Sequence, residues 1–419
     1  MAAERSFQQP GAAPQASLLA SVLTLAACLL AAQTFLAWVA LAGLVTLLTM
    51  RGRAAWWPAV ATVLLLAVLN SLKWPESDLA EYLVVLDGVR QLSLGELLGD
   101  ESALISIRST EPVFRTLMWL LARADPLPRI AFALFGGIAV YGALLWLCRR
   151  ASAPTRGSDT AWQAAIATTI ALLVGVTFSL VGHLVRQYLA GGIFFVGVFG
   201  WAFTGRWRWW LWPAVACATH NSALLLVVPL ILSAVLASRP RLFMAVALAA
   251  LAASLAGQIP LVGELAEATS FLKEDGQLGV ALPLLDSAVL LVAWLVWRGL
   301  PVQQRPTAPA VSRLLCFGIA LAVLLFCIRE VPLLFFRSYF YLEFLRAPML
   351  AFVIAAALRR AGNAAVPGAA IALPLAALLC WLRTRGADWS YSAEHARWPE
   401  WLDIQSVLLR WQSIQNALL

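Results

Sequence analysis

The sequence has few charged residues and almost no lysine. Only 12% of its residues are Asp, Glu, Lys or Arg, and Lys73 and Lys273 are the only lysines. Soluble domains carry about 25% charged residues. Hydrophobic residues make up 62% of the chain, in runs that are longer than the core segments of a globular domain need. The composition therefore excludes a soluble domain and predicts an all-α, polytopic integral membrane protein.

The sequence also lacks the motifs of the common nucleotide-dependent and metal-dependent enzymes. It contains no Walker, GxGxxG, HExxH, GxSxG or DxD motif, and its six cysteines form no CxxC pair. The formal net charge of +8 comes mostly from arginines scattered through short loops. Such arginines orient helices in a bilayer and form no basic face for a polyanion. We therefore expect no metal centre, no cofactor and no nucleic-acid partner.

Apolar segments of membrane-spanning length follow one another along the chain, among them a helix pair over residues 16–50 and the segments Trp162–Val181 and Met349–Leu358. At roughly 20 residues per span, we expect about 11–13 transmembrane helices. They form one domain over residues 1–383, with outer loops at about 73–129 and 329–348, and a Trp-rich tail over 384–419. Arginines recur after every second segment, which predicts that those ends face the cytoplasm. This alternation requires the segment 207–237 to fold back at His220; a single tilted helix there would reverse every later orientation and place Arg298–Arg313 outside, so we favour the hairpin.

Polar residues interrupt two of these segments near the same predicted outer boundary. Arg186 and Gln187 lie near the start of one segment, and His220 and Asn221 lie at the fold-back of the next. A charged side chain inside a bilayer costs a few kcal/mol and has to find partners, which indicates a functional site. His183 precedes Arg186 by three residues and is predicted to share its helix face.

The guanidinium group of arginine matches phosphate oxygens in a bidentate geometry. We therefore expect Arg186 to bind a diphosphate group. Arg337 or Arg346, from the outer segment 329–348, would be the second arginine of the clamp. Tyr339 in the same segment would provide a flat surface on which a sugar ring packs.

Three residues are candidates for the base that removes a proton from an acceptor hydroxyl. His220 is one, because histidine titrates near neutrality. The carboxylates Asp78 and Glu111 in the first outer loop are the others. Glu111 also precedes Pro112 at the start of a predicted amphipathic helix, where an acid followed by proline is favourable. The residues alone leave open which of the three acts.

The order and spacing of these elements resemble the EpsG-like branch of the Wzy-type polysaccharide polymerases. The resemblance rests on four elements: Asp78 with Tyr82, Glu111-Pro112-Val-Phe, the stretch from Ser179 to Ala190, and His220-Asn221-Ser222-Ala. The chain departs from the family pattern after Asp78, where a leucine replaces the tyrosine of an Asp-Tyr pair.

This resemblance implies a GT-C-like glycosyltransferase in the bacterial inner membrane, with its active site and Trp-rich tail facing the periplasm. Its substrates would be undecaprenyl-diphosphate-linked oligosaccharide repeats held in the membrane lipid. The growing glycan would pass from its lipid diphosphate to another lipid-linked repeat without a metal ion, which yields exopolysaccharide or O-antigen. A chain-length regulator of the polysaccharide co-polymerase type is the protein partner that the resemblance implies.

Two other functions remain open at this point. A GT-C glycosyltransferase that adds a single sugar, or an O-antigen ligase, would use related lipid phosphates. A monotransferase is expected to carry a sharper acidic pair in its first outer loop. A flippase or transporter for lipid-linked oligosaccharide would carry charges at mid-membrane depth in several helices and inverted repeats, and the sequence shows neither.

Overall fold

The computed structural model describes residues 43, 55–73, 77–99, 111–124, 128–153, 161–255, 281–301, 306–329 and 331–385. Within these ranges the chain is almost entirely helical and contains no strand. Short 3₁₀ helices occur at Trp207–Trp210, Asn221–Leu226, Phe340–Leu342 and Gly362–Ala364. The α-helices of the described ranges are α1 Trp57–Ser71, α2 Ser77–Val89, α3 Leu94–Gly99, α4 Pro112–Leu121, α5 Pro128–Ser152, α6 Ala161–Val174, α7 Phe178–His183, α8 Val185–Thr204, α9 Leu211–Thr219, α10 Val227–Leu236, α11 Pro240–Leu255, α12 Ala281–Gly299, α13 Ala308–Cys327, α14 Pro332–Tyr339, α15 Glu343–Arg360 and α16 Ala365–Arg385.

Long apolar helices confirm the all-α, polytopic membrane fold that the sequence predicts. Shorter apolar helices accompany them along the chain. The predicted helix pair within residues 16–50 lies outside the described residues except for Gly43, and so does the tail from residue 386 onward. Among the described residues, the stretches long and apolar enough to cross a bilayer are Pro128–Ser152, Val185–Thr204, Ala308–Cys327, Leu334–Arg360 and Gly362–Cys380.

Small residues bring the central helices into close contact. A Cβ atom at Gly137 of α5 would lie only 2.8 Å from the backbone of Ala67 in α1, so glycine is required for this approach. Close backbone packing at small residues is the usual way in which membrane helices associate, because lipid supplies no hydrophobic force between them. The core that results holds α1, α5, α6, α8 and α15 together.

Arginines collect at one end of the helix bundle, which we call the arginine end. Arg313 donates to the carbonyls of Trp201 and Ala202, near the last residues of α8. Four further arginines lie at the same end through contacts to neighbouring helices: Arg149 on the Trp56 ring, Arg150 on the Phe203 ring, Arg359 at the Ser152 carbonyl and Arg360 at the Gly299 carbonyl. This clustering agrees with the alternation read from the sequence.

The chain reverses its direction at His220, as the sequence predicts. Helix α9 returns along α8 from the arginine end, and a Cβ atom at Gly197 would collide with Pro213 of α9. His220 itself is extended, with φ −155° and ψ 129°. Helix α10 then leads back, and the carbonyl of Ala237 accepts a hydrogen bond of 2.8 Å from Ser312, beside Arg313. His220 therefore lies at the tip of a hairpin whose two ends are at the arginine end.

Two helix boundaries differ from the prediction. The stretch from Trp162 to Val181 reads as one apolar segment, but α6 ends at Val174 and α7 begins at Phe178. Helix α7 ends at His183, and Leu184 has φ −106° and ψ 42° before α8 starts. The prediction that His183 shares a helix face with Arg186 is therefore wrong, because the two residues lie on separate helices.

The last described part of the chain is also more helical than its sequence indicates. The predicted spanning segment Met349–Leu358 is the second half of α15, which begins at Glu343 and contains Pro348. Much of the predicted outer segment 329–348 is helical as well, in α14 and the 3₁₀ turn Phe340–Leu342.

Candidate active site

Glu111 connects two of the predicted site residues through its carboxylate. It lies at the N-terminal cap of α4, directly before Pro112, and its side chain is 1% exposed. Oε2 accepts a hydrogen bond of 2.9 Å from Nη1 of Arg186, and Oε1 lies 2.7 Å from Nδ1 of His220. Oε1 also accepts a hydrogen bond of 3.3 Å from the backbone N–H of Asn221. The structure therefore brings Glu111, Arg186 and His220 together from three separate segments.

The charge state of Glu111 determines which nitrogen of His220 carries a proton. Burial raises the pKa of the Glu111 carboxyl, but the hydrogen bond from His220 and the charge of Arg186 outweigh it and hold the pKa below its ordinary value. The carboxylate is therefore ionised at neutral pH and can only accept hydrogen bonds. Nδ1 of His220 is then the donor. Nε2 forms no hydrogen bond with any residue that the structure describes.

Tyr82 and Asp78 support Arg186 from α2. Nε of Arg186 donates a hydrogen bond of 2.9 Å to the Tyr82 hydroxyl, and its guanidinium lies 5.1 Å from the centre of the Tyr82 ring. The Tyr82 hydroxyl in turn donates to Oδ2 of Asp78 over 3.4 Å. Burial raises the pKa of Tyr82 well above its ordinary value, against the charge of Arg186. Asp78 thus contacts the phenol that orients Arg186, and its carboxylate does not contact His220.

Arg337 lies beside this site, and its guanidinium has no hydrogen-bond partner among the described residues. Gln187 donates a hydrogen bond to the backbone carbonyl of Arg337, which fixes α14 against α8. The Arg337 side chain is half-buried, and among the described residues it forms no hydrogen bond or ion pair. Its charge is one of those that act on the Tyr82 phenol, which places it within electrostatic range of that residue. A guanidinium in this situation is available to an anionic ligand.

The other predicted substrate-binding residues lie at the borders of the site. Asn221 follows His220 at the tip of the hairpin and contributes its backbone N–H to Glu111. Ser222 lies 2.7 Å, oxygen to oxygen, from the hydroxyl of Tyr341, which ties the hairpin to the segment between α14 and α15. His183 is buried at the end of α7.

Arg346 and Tyr339 belong to a second group of buried polar residues. We call Asp286, Tyr339, Glu343 and Arg346 the ion cluster. Arg346 donates to Asp286 at 3.1 Å, to Glu343 at 2.8 Å and to the Tyr339 hydroxyl at 3.2 Å. The role of Arg346 and Tyr339 in binding substrate stays a prediction, because these contacts already occupy much of the guanidinium.

The ion cluster holds open the break between α6 and α7. Nε of Arg346 donates to the carbonyl of Gly175 at 2.8 Å, and Oε2 of Glu343 accepts from the backbone N–H of Thr177 at 3.1 Å. The Tyr188 hydroxyl also donates to Glu343 at 2.9 Å, which reaches α8 two residues after Arg186. Sequence reasoning did not assign Asp286, Tyr188 or Thr177 to a site. The feature of the sequence that could have pointed to this cluster is Asp286, an acidic residue within an otherwise apolar segment.

The EpsG family profile matches residues 56–391 of the chain. Neither a comparison with curated proteins nor one with solved structures gave a match. The matched range contains Glu111, Arg186, His220 and Arg337 as well as the whole ion cluster. Within the described residues, no group of three His, Cys, Asp or Glu side chains is arranged to hold a metal ion.

Proposed function

The chain belongs to the EpsG family, and we propose that it polymerises undecaprenyl-diphosphate-linked oligosaccharide repeats into exopolysaccharide or O-antigen. The reaction takes place at the periplasmic face of the bacterial inner membrane. The bond between the anomeric carbon of the growing glycan and its lipid diphosphate breaks, and a glycosidic bond to a hydroxyl of another lipid-linked repeat forms. The observation that carries this proposal is the buried Glu111 carboxylate between Arg186 and His220.

We assign His220 as the base. Its Nδ1–H is bonded to Glu111, so Nε2 has the free lone pair that accepts the proton of the acceptor hydroxyl. Glu111 keeps the imidazole in this tautomer and stabilises the imidazolium that forms. Asp78 contacts Tyr82 and acts as a positioning residue. Among the three candidates from the sequence, this geometry favours His220 over the two carboxylates.

Arg186 and Arg337 are the groups that receive the departing diphosphate. Negative charge builds up on that leaving group in the transition state, and fixed donors in a site with little water stabilise it. Arg186 is held in place by Glu111 and Tyr82, so it needs little reorganisation. Arg337 adds a guanidinium that forms no hydrogen bond with the described residues. Loss of one such donor typically reduces turnover by about 100- to 1,000-fold.

The reaction can be tested with the purified protein in detergent. The assay supplies a synthetic lipid-diphosphate oligosaccharide, a chelator and no nucleotide sugar. A ladder of products at multiples of the repeat supports the polymerase. Addition of one sugar from a polyprenyl-phosphate donor would instead indicate a monotransferase, and transbilayer movement without a new glycosidic bond would indicate a flippase.

A matched pair of variants controls this assay. His220→Asn keeps a nitrogen where Nδ1 donates to Glu111 but lacks Nε2, so it should give no ladder. Asp87→Asn changes a half-exposed carboxylate that pairs with Arg129 and lies away from the site, so it should give the wild-type ladder. A chelator-sensitive ladder would contradict the metal-independent mechanism.

A further inference from the structure

A long apolar groove runs beside the candidate site. It has a volume of about 590 Å³ and lies between α11, α12, α13 and α14. Leucines and aromatic rings line it, among them Leu291, Trp294 and Phe326, and the only polar side chains among its described lining residues are Ser287 and Arg329. Its volume lies within the range of about 300–1,000 Å³ that is usual for small-molecule sites.

The groove follows α13 along the bundle. Its lining begins at Leu315, two residues after Arg313 at the arginine end, and continues to Arg329 after the last turn of α13. At 1.5 Å per residue, these 14 steps correspond to about 21 Å. Leu255, Leu284 and Leu291 on its rim are exposed, so the groove opens on the side that faces lipid. Its shape therefore suits an extended hydrocarbon chain.

Helix α14 separates the groove from the candidate site. Phe335 lines the groove, and Arg337 follows two positions later. Two positions on an α-helix differ by about 200°, so the two side chains leave the helix on opposite faces. Gln187 holds α14 through the carbonyl of Arg337, which fixes this wall against α8. One short helix thus presents an aromatic ring to the groove and a guanidinium to the site.

We infer that the groove binds the polyprenyl chain of the lipid-diphosphate substrate. This inference rests on the proposed function and adds to it the place of the lipid tail. A diphosphate at Arg337 lies one helix width from the groove, and Arg329 adds positive charge at the same end. Lipid tails are as apolar as leucine, so burial alone does not select a ligand in a bilayer. Selection comes from close packing of the branched chain against Trp294, Phe326 and Phe335.

Photo-crosslinking tests where the chain binds, without any need for turnover. The probe is a polyprenyl phosphate with a diazirine near its tail, added to the full-length protein in nanodiscs. We expect labelled peptides from Leu284–Trp294 and Leu315–Phe326, with labelling suppressed by undecaprenyl phosphate and not by phosphatidylglycerol. Labelling that extends equally over the exposed face of α16, or that phosphatidylglycerol suppresses equally well, would overturn the inference.

A groove-filling variant tests the role of the groove in the reaction. Ala322→Trp places an indole in the groove, and Leu375→Trp, on the exposed face of α16, is the matched control. We expect Ala322→Trp to raise KM about tenfold for an undecaprenyl-linked repeat and less than about twofold for a farnesyl-linked one. Equal effects on both substrates, or none, would refute the inference. If the wild type polymerises neither substrate, the proposed function fails, and the crosslinking result decides the groove by itself.

Discussion

Replacement of Glu111 by glutamine tests whether this carboxylate holds the site together. The side chain is 1% exposed and accepts hydrogen bonds from Arg186, His220 and the N–H of Asn221. Glutamine keeps the shape, but its NH₂ group faces at least one of these donors and its charge is lost. Removal of one partner of a buried ion pair costs about 3–5 kcal/mol. We therefore expect the free energy of unfolding of Glu111→Gln to fall by about 3 kcal/mol or more.

The measurement combines unfolding with activity. Denaturant unfolding in detergent can be followed by tryptophan fluorescence, since the chain has 19 tryptophans, and polymer ladders report turnover. Asp87→Asn is the control, because it breaks the ion pair with Arg129 at a carboxylate that is 47% exposed. Arg129 is 10% exposed, so this pair is only partly in solvent, and its loss should cost less than the loss of a pair whose carboxylate is itself buried. If Glu111→Gln is no less stable than Asp87→Asn, or keeps wild-type polymer formation, the reasoning is wrong.

A double variant separates stability from catalysis. Glu111→Gln combined with Arg186→Gln leaves no unpaired buried charge, so it should recover a large part of the stability that the single variant loses. It should still form no polymer, because both the orienting carboxylate and the diphosphate-binding guanidinium are missing. Recovery of activity together with stability would show that Glu111 and Arg186 only support the fold.

Further predictions concern the same site. Arg186→Lys should be expressed and folded but lose at least about 100-fold in turnover, since a point charge does not reproduce the planar guanidinium that Glu111 and Tyr82 hold in place; near-normal polymer output would contradict the role of Arg186 in binding the diphosphate. His220→Asn should unfold like the wild type but form no polymer; polymer formation at the wild-type rate would exclude His220 as the base. The pKa of Glu111 is lowered, so its stabilising effect is present above about pH 4.3 and is lost as pH falls through the folded-state pKa; the difference in unfolding free energy between wild type and Glu111→Gln should therefore decrease as pH falls below about 4.3, and an unchanged difference there would contradict the assignment. In intact cells, an impermeant thiol reagent should label a cysteine at Glu81 and not one at Arg206, in a background without native cysteines; labelling of both from outside would refute the orientation.

The sequence was sufficient to find the catalytic candidates because a polar or charged side chain next to a membrane-spanning segment raises the free energy of the fold unless it has a partner. An arginine, a histidine and a carboxylate beside hydrocarbon-length segments have to find partners. Arg186 and His220 indeed both contact Glu111 in the structure. The fold-back at His220 was predictable as well, because a single tilted helix over 207–237 would place Arg298–Arg313 on the outer side, against the alternation of arginines.

The break between α6 and α7 could not be predicted in the same way. Residues 162–181 are mostly apolar, and Gly175 is only a weak local signal that the helix stops at Val174. The groups that satisfy the unwound backbone come from Glu343 and Arg346, far along the chain. The role of these two residues was equally hidden, because an arginine and an acid among aromatic residues are also typical of a membrane interface. Only the tertiary contacts distinguish the two cases.

Two unwound stretches of backbone, at Thr177 and at Asn221, also set the order in which the contacts of the protein can form during synthesis. Lipid offers no hydrogen-bond partner to an unwound backbone, so each break needs a group from the protein. The N–H of Asn221 is bound by Glu111, which is synthesised 110 residues earlier. The N–H of Thr177 is bound by Glu343, which is synthesised 166 residues later. During translation the residues from Asp78 to Arg337 therefore exist before Glu343 can bind the unwound backbone between α6 and α7.

A ribosome-bound chain that stops short of residue 343 thus carries every proposed catalytic side chain, but its Thr177 N–H still lacks the Glu343 carboxylate. We expect such a nascent chain to be inactive and to be recognised by membrane quality control. Activity then begins only after Glu343 has been synthesised, so a shorter nascent chain does not consume the lipid-linked repeats.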